Sequence, residues 1–209
     1  LQSLTLPYNS INNSISPLVK ISVDNCPNLR IFNISGQNNP ALVVELVGAK
    51  SLESLNIADT NVQSLILPPL YVDGEVWFNT LKSINISRTN TSTLVYNDQT
   101  FDYLDLTAFP DLDDIVAMDC KELVKVKCLN NVLNPINLNP SSFYGCSNLT
   151  RAIGNYNIKG IEVFKGCSKL IINTPEIYQT FTGDTFITDP NGTNLSIDLN
   201  ISSLYGSFE

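Results

Sequence analysis

The segment SLESLNIADTNVQSLILP, residues 51–68, contains one hydrophobic spacing twice. Its first half reads L-x-x-L-x-I from Leu52, and its second half reads V-x-x-L-x-L from Val62. Alternate residues of a strand point to opposite sides, so the last two apolar positions of each copy point to the same side. A strand this short cannot bury its apolar side alone, and the repetition therefore predicts stacked copies that share one core.

This six-residue spacing of apolar residues, which we call the frame, recurs along most of the chain. Neighbouring copies are about 10 or 11 residues apart and alternate copies about 20 to 23 apart, a period typical of solenoids. Pro and Asn in ILPPL, NNPAL and LNPSSF suit the corners between strands. We therefore predict a mostly-β leucine-rich-type solenoid of short parallel strands, with about two strands in each coil of roughly 20–23 residues and few helices. The further copies begin at Leu18, Leu29, Leu81, Phe101, Leu112 and Leu123.

The segment 51–68 resembles a leucine-rich repeat in the order of its apolar residues. Its Asn61 stands near the asparagine that caps the turn after the strand in such repeats. Asn38 and Asn90 follow the strand phrases LRIFNISGQ and LKSINISRT in the same way. The resemblance implies that these asparagines close the turns of a leucine-rich-repeat solenoid.

Two further segments, FYGCSNLT at 143–150 and FKGCSKLI at 164–171, repeat one phrase 21 residues apart. They resemble the coils of BspA-like surface proteins of bacteria and protists, which carry F-x-x-C-x-x-L. The resemblance covers roughly residues 1–175. It implies a binding role without naming the ligand, because such repeats serve many binding functions.

The chain divides into a repetitive part and a different C-terminal part. We predict that residues 1–175 form the solenoid and that 176–209 form a strand-like C-terminal cap or begin a following domain. Every second residue from Leu195 to Ile201 is apolar, as in a half-buried strand. Leu1 is not an initiator methionine, and we expect the solenoid to be truncated at its N-terminal end and the chain to belong to a larger one. Inserts that make the coils uneven lie at 68–80, 91–100 and 129–142.

The cysteines follow the repeat. Four of them stand three residues before a motif leucine, at a position that is Ala49, Phe78 or Phe109 in other coils. A position that accepts Cys, Ala and Phe is an apolar core position. Because the number of cysteines is odd and no C-x-x-C occurs, we predict buried free thiols, with one disulfide, catalysis or metal binding as alternatives. The five cysteines are Cys26, Cys120, Cys128, Cys146 and Cys167.

Composition excludes several classes of function. The chain contains no histidine, which excludes Ser-His-Asp triads, Cys-His pairs and the usual zinc sites, and we expect no cofactor. The net charge is −8 and the twelve Lys and Arg residues look scattered, so we expect no nucleic-acid partner. No run approaches the ~18 apolar residues of a membrane span.

Three weaker motifs have ordinary explanations. DLDDIVAMD at 111–119 could place two carboxylates for glycoside hydrolysis, but solvated acids are common at coil corners. DPNGTN at 189–194 offers oxygen ligands for calcium, although a plain turn also explains it. Eight N-x-S/T sequons would matter only in a chain secreted by a eukaryotic cell.

The candidate ligand-binding residues are outward positions of the strands and the aromatic residues of one insert. Alternate strands should belong to opposite sheets, and we predict that one sheet carries Lys20, Ser64, Ile66, Ser83, Asn85, Tyr103, Asp105, Lys125 and Lys127. Tyr103 is the first candidate there, because Tyr is frequent at binding hot spots. Tyr71 and Trp77 in the 68–80 insert are the second candidate, unless they pack over the core.

These observations favour a non-enzymatic binding module of a cell-surface or secreted protein that recognises a protein or a glycan. One alternative is a structural or docking component of a larger assembly, such as a virion or an envelope complex. The other is a glycoside hydrolase that uses two carboxylates among residues 111–119.

Overall fold

The chain is mostly β, as the repeat predicts. The computed structural model describes residues 1–7, 20–37, 42–69, 71–73, 75–76, 78–89, 95–96, 99–100, 103–128, 136–158, 162–170, 177–181, 187–188 and 194–195. These residues form strands, turns and bends, with no helix among them. Within the same ranges, accordingly, no helix is long and apolar enough to span a bilayer.

The strands are short, and most have the length of one copy of the frame. The first ten are β1 (Ser3–Thr5), β2 (Lys20–Ser22), β3 (Ile31–Asn33), β4 (Leu42–Glu45), β5 (Ser54–Asn56), β6 (Val62–Ile66), β7 (Tyr71–Val72), β8 (Glu75–Val76), β9 (Ser83–Asn85) and β10 (Val95–Tyr96). The others are β11 (Gln99–Thr100), β12 (Tyr103–Leu106), β13 (Asp114–Val116), β14 (Lys125–Cys128), β15 (Ile136–Leu138), β16 (Arg151–Ile158), β17 (Ile177–Phe181), β18 (Ile187–Thr188) and β19 (Asn194–Leu195).

The strands β1, β3, β5, β9, β13 and β15 pair in that order, all parallel, and we call them ladder 1. In the first five of these strands, residues in register occupy the same position of the sequence frame. Leu4 pairs with Phe32, Phe32 with Leu55, Leu55 with Ile84, and Ile84 with Ile115. Successive copies therefore stack one coil apart, as a solenoid requires.

Two further sets of strands alternate with ladder 1 along the chain. Ladder 2 consists of β2, β4 and β6, and ladder 3 consists of β12, β14 and the first half of β16, all parallel. The strand β16 belongs to two ladders, because residues 151–153 pair with β14 whereas 156–158 pair with β15. This strand therefore joins ladder 3 to ladder 1.

The core is one cluster of side chains that all three ladders supply. Leu55 of ladder 1, Val44 of ladder 2 and Val126 of ladder 3 are each at most 1% exposed. The two inward positions predicted from the frame, Leu55 and Ile57 in segment 51–68, are both buried. Full burial of such a side chain contributes about 1.5–3 kcal/mol, so the stacking of coils is the main source of stability.

The chain leaves successive ladder 1 strands through corners that stack on one another. The amide of Asp59 donates to the carbonyl of Ser87 in the next coil at 2.9 Å, and the amide of Arg88 donates to that of Met118 at 2.7 Å. Each such corner contains one residue in the left-handed region. These residues are Gly36, Asp59, Arg88, Asp119, Gly145 and Gly166, with φ between 52° and 83°.

Asparagines at the ends of three ladder 1 strands close the turns that follow. The side-chain oxygens of Asn33, Asn56 and Asn85 each accept a hydrogen bond from the amide two residues further on, at 3.0, 3.1 and 3.0 Å. This is the local bond through which Asn favours turns. Asn38 and Asn90, which were expected as caps, lie outside the described residues.

Two of the three inserts contain small antiparallel pairs, whereas the insert 129–142 contains β15 of ladder 1. Strands β7 and β8 pair within the insert 68–80, and β10 and β11 pair within the insert 91–100. Beyond residue 175, β17 pairs in parallel with β16, and β18 pairs antiparallel with β19. Residues 196–209 lie outside the described part of the chain, so the boundary at 175 and the C-terminal cap stay predictions.

Candidate ligand-binding face

Four of the candidate residues lie together on ladder 3. Register places Tyr103 of β12 beside Lys125 of β14, and Asp105 beside Lys127. Leu104 lies between Tyr103 and Asp105 along β12, Val126 lies between Lys125 and Lys127 along β14, and both point inward and are buried. The four candidate side chains are half-buried on the outer side. Neighbouring strands are about 4.8 Å apart, so the four side chains form one compact group.

The group is held by electrostatic contacts between β12 and β14 and by one hydrogen bond within β12. The ammonium nitrogen of Lys125 lies 4.6 Å from the centroid of the Tyr103 ring, within the range of a cation–π interaction. The Nζ atom of Lys127 lies 3.8 Å from Oδ2 of Asp105. The Tyr103 hydroxyl donates to the same Asp105 oxygen at 3.3 Å.

Asp105 also closes the turn after β12. Its Oδ1 accepts hydrogen bonds from the Thr107 hydroxyl at 2.6 Å and from the Thr107 amide at 3.0 Å. Burial alone would raise the pKa of the Asp105 carboxyl, but the bonds from Thr107 and the charge of Lys127 outweigh burial and lower it. Burial, and then the negative charge of Asp105, raise the pKa of Tyr103. The group therefore contains a carboxylate and a neutral phenol at neutral pH.

Arg151 is a further member of this group, and the sequence reasoning missed it. Register places it beside Lys125 on the other side from Tyr103, and it is exposed. The signal was present in the sequence, because Arg151 stands two residues after Leu149, as Lys125 stands two residues after Leu123. We call the outward side chains of Tyr103, Asp105, Lys125, Lys127 and Arg151 the ladder 3 face.

The prediction that one sheet carries all the outward candidates is wrong, because ladder 2 is a separate three-stranded sheet, whereas ladders 1 and 3 are different parts of one sheet joined by β16. Ser83 and Asn85 belong to β9 of ladder 1, where they pair with β5 and β13. Lys20 and Ile66, with the β6 backbone at Ser64, belong to ladder 2. The insert 68–80 separates Ser54 from its partner Ser83 by 29 residues, and a constant period of 20–23 residues therefore assigned Ser83 to the wrong ladder.

On ladder 1, Ser83 and Asn85 make contacts within the scaffold. The Ser83 hydroxyl donates to the hydroxyl of Ser54 on the neighbouring strand at 2.9 Å. The Asn85 side-chain oxygen accepts the amide of Ser87, which makes it a turn cap. These contacts explain both residues without a ligand.

The aromatic insert is described only in part. Of Tyr71 only the backbone in β7 is described, and Trp77 lies outside the described residues, so their role as a binding loop stays a prediction. Phe78 is fully buried and packs edge-to-face against Phe109, with ring centroids 5.3 Å apart. This residue of the insert belongs to the core.

The cysteines are free, and four of them are fully buried. Burial raises the pKa of the Cys120 and Cys128 thiols to about 12, which suppresses the reactive thiolate. The prediction of buried free thiols is confirmed for these two and for Cys146 and Cys167, whereas Cys26 is half-buried. This arrangement gives the four buried thiols a packing role.

The acidic segment 111–119 is bonded to its own scaffold. Asp113 accepts a hydrogen bond from the side chain of Asn137, and Asp114 accepts one from Asn139 at 3.0 Å. Within the described ranges no group of three or more His, Cys, Asp or Glu residues could hold a metal ion. Residues 189–193 of the possible calcium loop lie outside those ranges.

No family model matches the chain, and comparison with curated proteins and with solved structures finds no match for it. The resemblance of segment 51–68 to leucine-rich repeats therefore stays a prediction from residue spacing. Function has to be argued from the geometry of the ladder 3 face.

Proposed function

We propose that this chain is a non-enzymatic binding module whose protein or glycan ligand docks on the ladder 3 face. The observation that carries the proposal is the grouping of one tyrosine and three cations on adjacent strands. Such residues provide binding energy at surfaces when a rigid scaffold holds them. The alternation of the frame fixes their common outward direction, and the buried core behind them limits their movement.

The balance of charge on this face differs from that of the other ladders. On ladder 2, Lys20 pairs with Glu45 across the strands at 2.8 Å. On ladder 1, Glu53 lies between Arg30 and Lys82, at 2.6 and 3.2 Å. On the ladder 3 face three cations and one carboxylate occupy positions in register, and this composition suits a ligand of opposite charge.

The proposed location is the cell surface or the secreted fraction, because the BspA-like proteins whose coils this chain resembles are surface proteins. Fractionation of the source cells, with an antibody to this chain, tests this part separately. Recovery of the chain only from an internal compartment would contradict it.

The function is tested by affinity capture from native source material, using the intact parent chain as bait. The double variant Lys125→Ala, Lys127→Ala should lose a partner that the unchanged chain retains in stoichiometric amount. The matched control is Lys20→Ala, Lys82→Ala, which removes the same charge from ladders 2 and 1 and should retain the partner.

Two results would contradict the proposal. If both double variants still capture the partner, the interface lies elsewhere on the chain. This result would favour the alternative that the chain is a docking component of a larger assembly. Failure of the unchanged chain to retain any partner would remove the binding function on which the proposal depends.

A further inference from the structure

The basic residues are concentrated in one part of the chain. Residues 121–169 contain seven of the twelve Lys and Arg residues but two of the twenty Asp and Glu residues, and this segment therefore has a net charge of +5 in a chain of net charge −8. The expectation of scattered basic residues is wrong. The concentration attracts anions to one segment of a protein that repels them elsewhere.

Within this segment the cations of the ladder 3 face repeat at the spacing of the strands. Tyr103, Lys125 and Arg151 form one row across the sheet. In the second row Asp105 lies beside Lys127, and Lys127 lies beside Ile153. Lys125 and Arg151 are therefore cationic side chains in register on neighbouring strands. An anionic ligand that crosses the strands would contact both of them.

The shape of the face favours an extended, hydrophilic ligand. The central strand β14 is paired on both sides, so a peptide cannot add to it as a further strand. The large hydrophobic side chains that are exposed in the described ranges do not lie in β12, β14 or β16. Charged and polar side chains therefore dominate recognition at this face, and Tyr103 and the half-buried Ile153 are its aromatic and apolar outward side chains.

The carboxylate within the face distinguishes between polyanions. Asp105 is ionised at neutral pH and only accepts hydrogen bonds. A sugar hydroxyl can donate to it while a charged group on the same glycan meets Lys125 and Lys127. The phosphate backbone of duplex DNA offers only acceptors, and it has no hydroxyl that could donate to Asp105.

We infer that the ladder 3 face binds an acidic polysaccharide, a glycan with sulfate or carboxylate groups that lies across β12, β14 and β16. This inference rests on the proposed function and names the ligand class for the same site. Lys125, Lys127 and Arg151 hold the acidic groups, and Tyr103 and Asp105 face the sugar hydroxyls and ring.

The test measures binding of the full chain to immobilised heparin, which is sulfated, to polygalacturonate, which is carboxylated, and to neutral dextran. We expect binding to at least one acidic glycan, none to dextran, and affinity that falls as salt rises. Lys125→Ala, Lys127→Ala should weaken binding about ten-fold or more and lower the slope of log affinity against log salt by about 1–2.

Two control variants locate the effect. Lys20→Ala, Lys82→Ala removes the same charge from the other ladders and should bind as the unchanged chain does. Lys125→Arg, Lys127→Arg keeps both charges and should retain binding, and equal far-UV circular dichroism of the Arg and Ala variants shows that both are folded. An equal loss in the Lys20, Lys82 variant would overturn the site, because net charge alone would then explain it.

The remaining outcomes separate this inference from the proposed function. Capture of a partner that depends on Lys125 and Lys127, without binding to any acidic glycan, would overturn the glycan and leave the binding function standing. Equal affinity for duplex DNA and for the acidic glycan would overturn the selectivity assigned to Asp105. Loss of both glycan binding and partner capture would overturn both proposals.

Discussion

At the scale of single residues, three thiols use one position of the stack in the same way. Cys120, Cys146 and Cys167 each donate to a carbonyl oxygen of the preceding coil. Thr89, which occupies this position one coil before Cys120, donates to a carbonyl of its own coil at 2.8 Å. In these four coils the position therefore contains a small side chain with one donor, whereas in other coils it is Ala49, Phe78 or Phe109. The thiol acceptors are the carbonyls of Ile86, Ala117 and Phe143, at 2.9, 2.8 and 3.0 Å.

The burial of these thiols gives the first prediction. In the folded chain, an alkylating reagent at pH 8 should modify Cys26 readily and leave the other four cysteines intact, because burial excludes the reagent from all four and also raises the pKa of the Cys120 and Cys128 thiols. Unfolding in denaturant should expose all five. Mass spectrometry of peptides locates the modified residue, and rapid native labelling of Cys146 or Cys167 would contradict the packing role.

At the scale of elements, β16 is the strand on which the arrangement of the ladders depends. Gly154 lies between its two halves with φ of +149°, a conformation that residues with a side chain rarely adopt. A Cβ atom there would lie 3.1 Å from Cβ of Cys128 and 3.1 Å from the hydroxyl of Tyr156. That hydroxyl donates to the carbonyl of Ile153 at 2.9 Å, which fixes it in place.

The second prediction follows from this geometry. Gly154→Ala should lower the free energy of unfolding by about 1–3 kcal/mol, because it adds backbone strain and crowds the core. The neighbouring control Ile153→Ala, at a half-buried outward position, should lower the free energy of unfolding by less than Gly154→Ala does. Urea unfolding followed by far-UV circular dichroism compares the two variants, and an equal cost would refute the special role of Gly154.

The sequence predicted the direction of the strands' side chains but not the assignment of strands to ladders. The frame identified Leu55 and Ile57 as inward, because a period of two residues is a local property of a strand. It missed β4, since ALVVELVGA at 41–49 is apolar on both sides of Glu45 and has no leucine at the first position of the L-x-x-L-x-L spacing. The pairing of Ser83 with Ser54 depends on the length of the coil between them. Inserts change that length at little energetic cost, and the spacing of apolar residues within one strand does not reveal it.

The candidate site was predicted in the same partial way. Tyr103, Asp105, Lys125 and Lys127 were found because two alternate copies of the frame, which begin at Phe101 and Leu123, expose them. Arg151 was missed because β16 is longer than one copy and belongs to two ladders. Their mutual contacts depend on register between strands that are distant in sequence, and a single copy of the frame does not contain that information.

At the scale of the whole molecule, ion pairs connect successive coils along ladder 1 and its corners. Glu53 pairs with Arg30 of one neighbouring coil and Lys82 of the other, and these contacts, above all the bond from Arg30, lower its pKa. Arg88 binds Asp59 through both carboxylate oxygens, at 2.5 and 2.7 Å, and this bond lowers the pKa of Asp59. Asp114 differs, because burial and then the charge of Asp113 raise its pKa.

The sign of each shift fixes how stability depends on pH. A carboxyl with a lowered pKa in the folded state stabilises the fold above its unfolded pKa, and this contribution is lost as pH falls through the folded value. Glu53, Asp59 and Asp105 act in this direction, from ordinary values of 4.5, 3.8 and 3.8. Asp114 acts in the opposite direction, and its ionisation destabilises the fold as pH rises. Stability should therefore hold near neutral pH and fall below about pH 4.

The third prediction uses two variants that remove the same charge. At pH 7, Asp59→Asn should lower stability by up to about 1 kcal/mol, because the partly exposed pair with Arg88 is lost, and Asn tolerates the left-handed corner. Asp114→Asn should raise stability at pH 7, because it removes a carboxylate that burial disfavours. Both effects should shrink towards pH 3, where the carboxyls become protonated. Thermal unfolding at pH 7 and pH 3 measures them, and a shift of the same sign in both variants would show that net charge rather than these local contacts governs the pH dependence.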